Sequence, residues 1–152
     1  METLERIIAE HPFFADLDAE FTRLMVGCAS NVRFKKGDYI FREGAPADTF
    51  YLIREGKIAV EVFAPQHEPI IVATLVEGEI LGWSWLLAPY KWKHQARAIE
   101  GVRAIALDGK CLRQKCEENH DLGYEVLKRF ARIIEQRLEA TRLQLLDVYA
   151  VR

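Results

Sequence analysis

The spacing of hydrophobic positions changes twice along this chain and divides it into three stretches. Between Met1 and about Ala29, Phe21, Leu24, Met25 and Cys28 recur at helical spacing after the acidic cap signal Asp16-Leu17-Asp18, and Pro12 sets off an earlier run. This predicts two short N-terminal helices lying as a lid on a sheet. From Asn31 the apolar runs become short: Val32 and Phe34, Tyr39-Ile40-Phe41, Phe50-Tyr51-Leu52-Ile53, Ile58 to Val62, Ile70 to Leu75, and Ala96 to Leu107. They are broken at Lys36-Gly37-Asp38, Gly44-Ala45-Pro46 and Glu55-Gly56-Lys57. About eight short strands with close turns predict an antiparallel jelly roll or barrel over 30–110. From Asp121 to Tyr149 there is no proline, and Leu127, Phe130, Ile134, Leu138, Thr141, Leu145 and Val148 follow in steps of three or four. That pattern predicts a long amphipathic helix of roughly 40 Å within C-terminal helices over 111–150. A small barrel needs less helix than this to cover it, so we expect a homodimer through the outer part rather than a helix folded wholly onto its own barrel.

Composition narrows the class. The chain has 152 residues, half of them apolar and 29% charged, which suits a single domain over 1–152 that is mainly β with flanking helices. A formal net charge of -2 without a lysine- or arginine-rich block gives no electrostatic footprint for nucleic acid. No apolar run reaches the roughly 18 residues that span a bilayer, and the start Met1-Glu2-Thr3-Leu4-Glu5 lacks a signal-peptide pattern. The expected location is cytoplasmic, without a membrane partner. Cys28, Cys111 and Cys116 match no zinc or redox spacing and read as buried thiols acting as small apolar side chains. His11, His67, His94 and His120 are scattered, so no metal is expected. No nucleophile, base and orienting group fall into a pattern, so no enzyme is expected.

The chemistry concentrates in one segment. All three tryptophans, Trp83, Trp85 and Trp92, fall within ten residues after Gly78-Glu79-Ile80-Leu81-Gly82. The helix-capable run Trp83-Ser84-Trp85-Leu86-Leu87, stopped by Pro89, predicts a turn whose backbone amides face an anion. Trp83 and Trp85 are two apart and would point about 200° apart in a helical turn, one to the core and one to a cavity. Lys91 and Lys93 flank Trp92 in what reads as a solvated loop. Arg129, Arg132 and Arg137 alternate with Glu125, Glu135 and Glu139 on the last helix and read as its solvated, ion-paired face.

Three ordered segments carry a resemblance: Phe34 to Gly44, an early hairpin; Ala47 to Ile58, a strand and glycine turn; and Gly78 to Gly82 with Leu86, Leu87 and Ala96. Together they resemble the cyclic-nucleotide-binding domain of catabolite-activator-type regulators and cyclic-nucleotide-dependent kinases. The resemblance implies a phosphate-binding cassette comprising Gly78, Glu79, Gly82, Trp83, Ser84, Trp85, Leu86, His94, Gln95 and Ala96, with Phe130 or Ile134 as base-side candidates. It also implies that no cofactor is required. The cassette departs from the family at two anchors: Trp83 stands where a glutamate usually reads the ribose, and His94 stands where an arginine usually pairs with the phosphate. Ordinary cyclic AMP binding is therefore not expected, and a nucleotide-like or other small anionic ligand is. The signal would pass through a hinge near 117–122 and the long helix to a partner protein, since no recognition helix for DNA follows. The alternative is a ligand-free dimerising interaction module of the same fold.

Overall fold

The computed structural model describes residues 3–150. The N-terminal lid consists of α1 (Leu4–Glu10), a single 3-10 turn (Pro12–Phe14) and α2 (Ala19–Val26). Asp18 caps α2 by accepting from the N–H of Glu20 at 2.8 Å, as its acidic signal suggests. Eight strands follow: β1 (Ala29–Phe34), β2 (Tyr39–Phe41), β3 (Thr49–Glu55), β4 (Ile58–Val62), β5 (Ile70–Leu75), β6 (Ile80–Leu81), β7 (Gln95–Ala98) and β8 (Val102–Asp108). They form two antiparallel four-stranded sheets in the orders β1-β8-β3-β6 and β2-β7-β4-β5, a jelly-roll sandwich. The chain ends in α3 (Gly109–Glu118) and α4 (His120–Ala150), which meet at Asn119.

Strand alternation builds two cores on opposite faces of the first sheet. On β3, Ile53 packs between the sheets with Val60, Leu81, Trp92, Ala96 and Ala104. Phe50 and Leu52 face the helices instead and join Ile8, Phe14, Met25, Trp85, Leu112, Val126 and Phe130. The helical lid is therefore held to the barrel by its own apolar core.

Two expectations need correction. Cys28 and Cys111 are not free thiols: they form a disulfide with Cα atoms 5.9 Å apart, and Cys116 is the free cysteine. The register explains the pairing. Ala29 on β1 lies opposite Leu107 on β8, which sets Cys28 beside Asp108, and Cys111 lies one helical turn beyond that cap residue. The arginines of α4 do not form a uniformly solvated face either. Arg129 is buried, donates to the carbonyls of Phe13 and Ala15 at 2.9 Å each, and pairs with Glu125 at 2.6 Å. It ties α4 to the turn between α1 and α2, satisfying carbonyls that burial would otherwise leave costly.

His11 closes the same turn. Its Nδ1 accepts from the N–H of Phe13 at 3.1 Å, and burial pushes its pKa down from 6.5 to about 4. Between those values the unfolded chain binds the proton and the folded chain does not. The stabilising contribution is thus complete above about pH 6.5 and is lost as pH falls toward 4. His11→Asn keeps an acceptor for Phe13 without the titration. In urea unfolding, the wild type should lose about 2 to 3 kcal/mol more than this variant between pH 7 and pH 4. Equal losses would show that His11 does not titrate with folding.

Candidate functional site

The segment from Gly78 to Ala96 holds β6, an irregular loop from Gly82 to His94, and the start of β7. Glu79 closes its first turn: a side-chain oxygen accepts from the N–H of Val76 at 2.7 Å, while the Glu79 carbonyl accepts from Ile53 at 3.0 Å. Gly82 adopts φ +97°, and a Cβ there would lie 2.6 Å from the Trp92 ring. Only glycine meets both the left-handed backbone and the close approach. Trp92, placed by the sequence pattern in a solvated loop with Lys91 and Lys93, is buried and stacked on Phe41 at 3.7 Å. Lys91 and Lys93 themselves are exposed.

Residues Ser84 to Leu86 form a turn, not the expected short helix. A single backbone bond, from the Leu86 N–H to the Trp83 carbonyl at 3.0 Å, closes it. Among the described residues, no backbone carbonyl accepts from Ser84 or Trp85 N–H, but Trp85 is wholly buried, so only the half-buried Ser84 amide is placed to meet a ligand, without a helix dipole behind it. Trp85 is wholly buried, stacked on Phe50 at 4.9 Å and edge-on to Phe130 at 5.3 Å. Gly109 makes this possible, because a Cβ there would lie 2.8 Å from Trp85 Cβ. Trp83 is half-buried and packs against the edge of the same helical core, so the two indoles do not divide between core and cavity as their spacing suggests.

Around Trp83 the elements converge. The His94 ring lies edge-on at 6.3 Å, and the Arg137 guanidinium, delivered by α4, sits 4.9 Å from the indole centroid. Arg137 also donates to the carbonyl of Ile80. Burial lowers its pKa to about 10, and Glu79 works against that fall, so it stays charged at neutral pH. Burial first and Arg137 second hold His94 below the usual imidazole range, outweighing the Lys93 backbone hydrogen bond and Glu43, and the ring is neutral at pH 7. The local positive charge therefore belongs to Arg137.

Of the cassette residues inferred from sequence, Gly82, Trp83 and His94 meet at this point, with Ser84 and Leu86 half-buried beside them. Others are engaged elsewhere. Ala96 is in the inter-sheet core, while Gln95 turns to the outer face and donates to Glu61 at 3.2 Å. Arg97 shares that outer face and pairs with the same buried carboxylate at 3.1 Å, leaving it no part in the cassette. Phe130 has no exposed surface to offer a base, and Ile134 is half-buried on α4. Arg137 was missed as a site residue, although it lies seven residues, two helical turns, after the inward Phe130. A groove of about 490 Å³ runs beside it between β5 and α4, walled by Val72, Leu75, Ile80, Arg132, Ile133 and Arg137. Among the described residues no cluster of His, Cys, Asp and Glu is arranged to hold a metal, and no helix is long and apolar enough to cross a membrane.

An antiparallel jelly roll with a glycine-bounded loop packed against a long C-terminal helix defines a cyclic-nucleotide-binding type of regulatory domain. The family model for the cyclic nucleotide-binding domain matches residues 31–119, and the chain belongs to that family. A provisionally assigned cyclic nucleotide-binding protein of Geobacter metallireducens GS-15 is 30% identical and superposes with a TM-score of 0.79 over 91% of this chain and 99% of that one. A cyclic nucleotide-binding domain from Methylobacillus flagellatus KT shares the fold at 20% identity, with a TM-score of 0.79 over 93% of this chain and 79% of the other. A CRP-like cAMP-activated global transcriptional regulator of Mycobacterium tuberculosis is 23% identical over 95% of this chain, which spans 63% of that relative's length.

Proposed function

We propose that this chain is a non-enzymatic sensor domain whose cassette accepts a small anionic ligand other than ordinary cyclic AMP and reports it through α4 to a partner protein, in the cytoplasm. The observation that carries this reading is Arg137: this half-buried guanidinium beside Trp83 comes from the long helix, so any anion that draws it from the Ile80 carbonyl acts on α4 directly. The family's two polar anchors are replaced by Trp83 and the neutral His94. Each missing charged hydrogen bond costs about 1.5 to 3 kcal/mol, or roughly one to two decades in affinity.

Calorimetry on the wild-type chain should therefore detect no low-micromolar binding of cyclic AMP. The double change Trp83→Glu with His94→Arg should create or strengthen binding by at least tenfold. Low-micromolar affinity in the wild type, or no gain in the double variant, would overturn the cassette register. Trp83 is the half-buried indole at the site, whereas Trp85 and Trp92 are core residues. A nucleotide panel is therefore best read by fluorescence in a Trp85→Phe, Trp92→Phe background. A flat response across it would favour the alternative, a ligand-free interaction module, which the packing of Trp92 against Gly82 also suits.

Both readings include a homodimer. Leu127, Ala131, Ile134, Leu138, Thr141, Leu145 and Val148 alternate in steps of four and three, a 3.5-residue period, and Leu127, Leu138, Leu145 and Val148 are exposed in the single chain. Sedimentation should give a dimer at micromolar concentration, and Leu138→Glu with Leu145→Glu should shift it to monomer. A wild-type monomer at high micromolar concentration would remove the dimer from both readings.

A further inference from the structure

The outer face of the first sheet, beyond the rim of the helical lid, gathers like charges in a way that folding does not require. In the β1–β8 register Arg33 lies directly opposite Arg103, and both are exposed. Directly opposed like charges destabilise a strand pair. Arg103 takes a carboxylate from the neighbouring strand, Glu55 at 3.3 Å, with both side chains about half exposed. Among the described residues no ion pair to Arg33 is formed. These two arginines, with Arg54, Asn31 and Ile7, line an open groove of about 540 Å³. The chain as a whole carries a net charge of -2, so this is a local concentration of positive charge and not a reflection of composition.

We infer that this arginine face is a docking surface for an acidic, extended segment of a partner protein, laid along β1. Charge complementarity supplies the first part of the argument. The second is position: β1 is the edge strand of its sheet, so its outer main-chain groups are available to pair with an added strand. Carboxylates spaced along such a segment would meet guanidinium groups whose planar forks match them. A single-stranded nucleic acid fits less well, because the groove has no aromatic side chain on which a base could stack. The surface is separate from the cassette, and its occupancy does not depend on what the cassette binds.

The test is fluorescence anisotropy of a labelled octaglutamate peptide titrated with the full chain at 50 mM and 150 mM salt. We expect saturable one-to-one binding that weakens with salt. The Arg33→Gln, Arg103→Gln double variant should weaken it at least tenfold. A Lys110→Gln, Arg142→Gln double variant, which removes two exposed charges elsewhere, should bind as the wild type does. The melting temperature of the Arg33→Gln, Arg103→Gln double variant should stay within a few degrees of the wild type, since the opposed charges and one exposed ion pair are removed together, so lost binding cannot be attributed to unfolding. Absence of saturable binding, or equal loss in both double variants, would overturn the inference. So would a labelled oligothymidylate that binds as tightly as the peptide and suffers the same loss.

Discussion

Trp85→Ala should lower the unfolding free energy by about 3 to 5 kcal/mol, the largest effect expected of any single side-chain truncation here. The indole has no exposed surface and fills the junction of four elements: Phe50 of β3, Phe130 of α4, Gly109 at the start of α3, and its own loop. Removing it leaves a cavity that the stacked rings cannot close without shifting the sheet against the helices. Domains of this size are stable by only about 5 to 15 kcal/mol, so much of the reserve would be lost. Trp85→Phe should be far milder, within about 1.5 kcal/mol. It keeps a ring on Phe50 and removes an indole N–H that has no hydrogen-bond partner among the described residues. Urea unfolding followed by far-ultraviolet circular dichroism measures both. A loss below about 1 kcal/mol in the alanine variant would mean that Trp85 is not a core residue.

Reducing the Cys28–Cys111 bond should cost about 2 to 4 kcal/mol. The two cysteines are 83 residues apart, and closing a loop of that length removes about 4.5 kcal/mol of chain entropy from the unfolded state in the simplest treatment. Measured effects of disulfides fall below that limit because the unfolded chain retains structure. Cys111→Ser should reproduce the loss, and reductant should then have no further effect on the variant. Thiol titration of the denatured, unreduced protein should find one reactive group, Cys116. Three reactive thiols, together with a melting temperature indifferent to reductant, would show that the bond does not form.

The architecture was legible because it follows from period. Alternation along Phe50-Tyr51-Leu52-Ile53 marks a strand with two buried faces, and the run from Leu127 to Val148 marks the long helix. The turns at Gly78 and Gly82 were legible through their glycines, whose positive φ values need no partner to be inferred. What stayed hidden depends on tertiary pairing. The disulfide exists because β1 and β8 lie side by side, and neither cysteine has a local signal for that. Arg129 and Arg137 read as solvated because their charge outweighs their position. Yet each lies on the inward face of α4 and reaches backbone carbonyls of another segment. Trp83 and Trp85 both reach the helical core, one wholly buried and the other at its edge, and their spacing alone does not say which is which. Trp92 was misread because its charged neighbours describe a loop, while its ring fills the space that Gly82 vacates.

On the proposed signalling route, α4 would act as a lever with its fulcrum at the Asn119 junction. A rigid helix pivoting there carries Arg137 about 27 Å from the fulcrum and Ala150 about 46 Å from it, at 1.5 Å per residue. A tilt of about 5° moves the guanidinium by about 2 Å and the far end by about 4 Å, on the same helical rise. The mechanical gain of nearly two is fixed by where Arg137 falls along the rod. Lengthening the helix raises that gain without touching the cassette, whereas moving the arginine one turn toward Asn119 raises it at the cost of contact with Trp83.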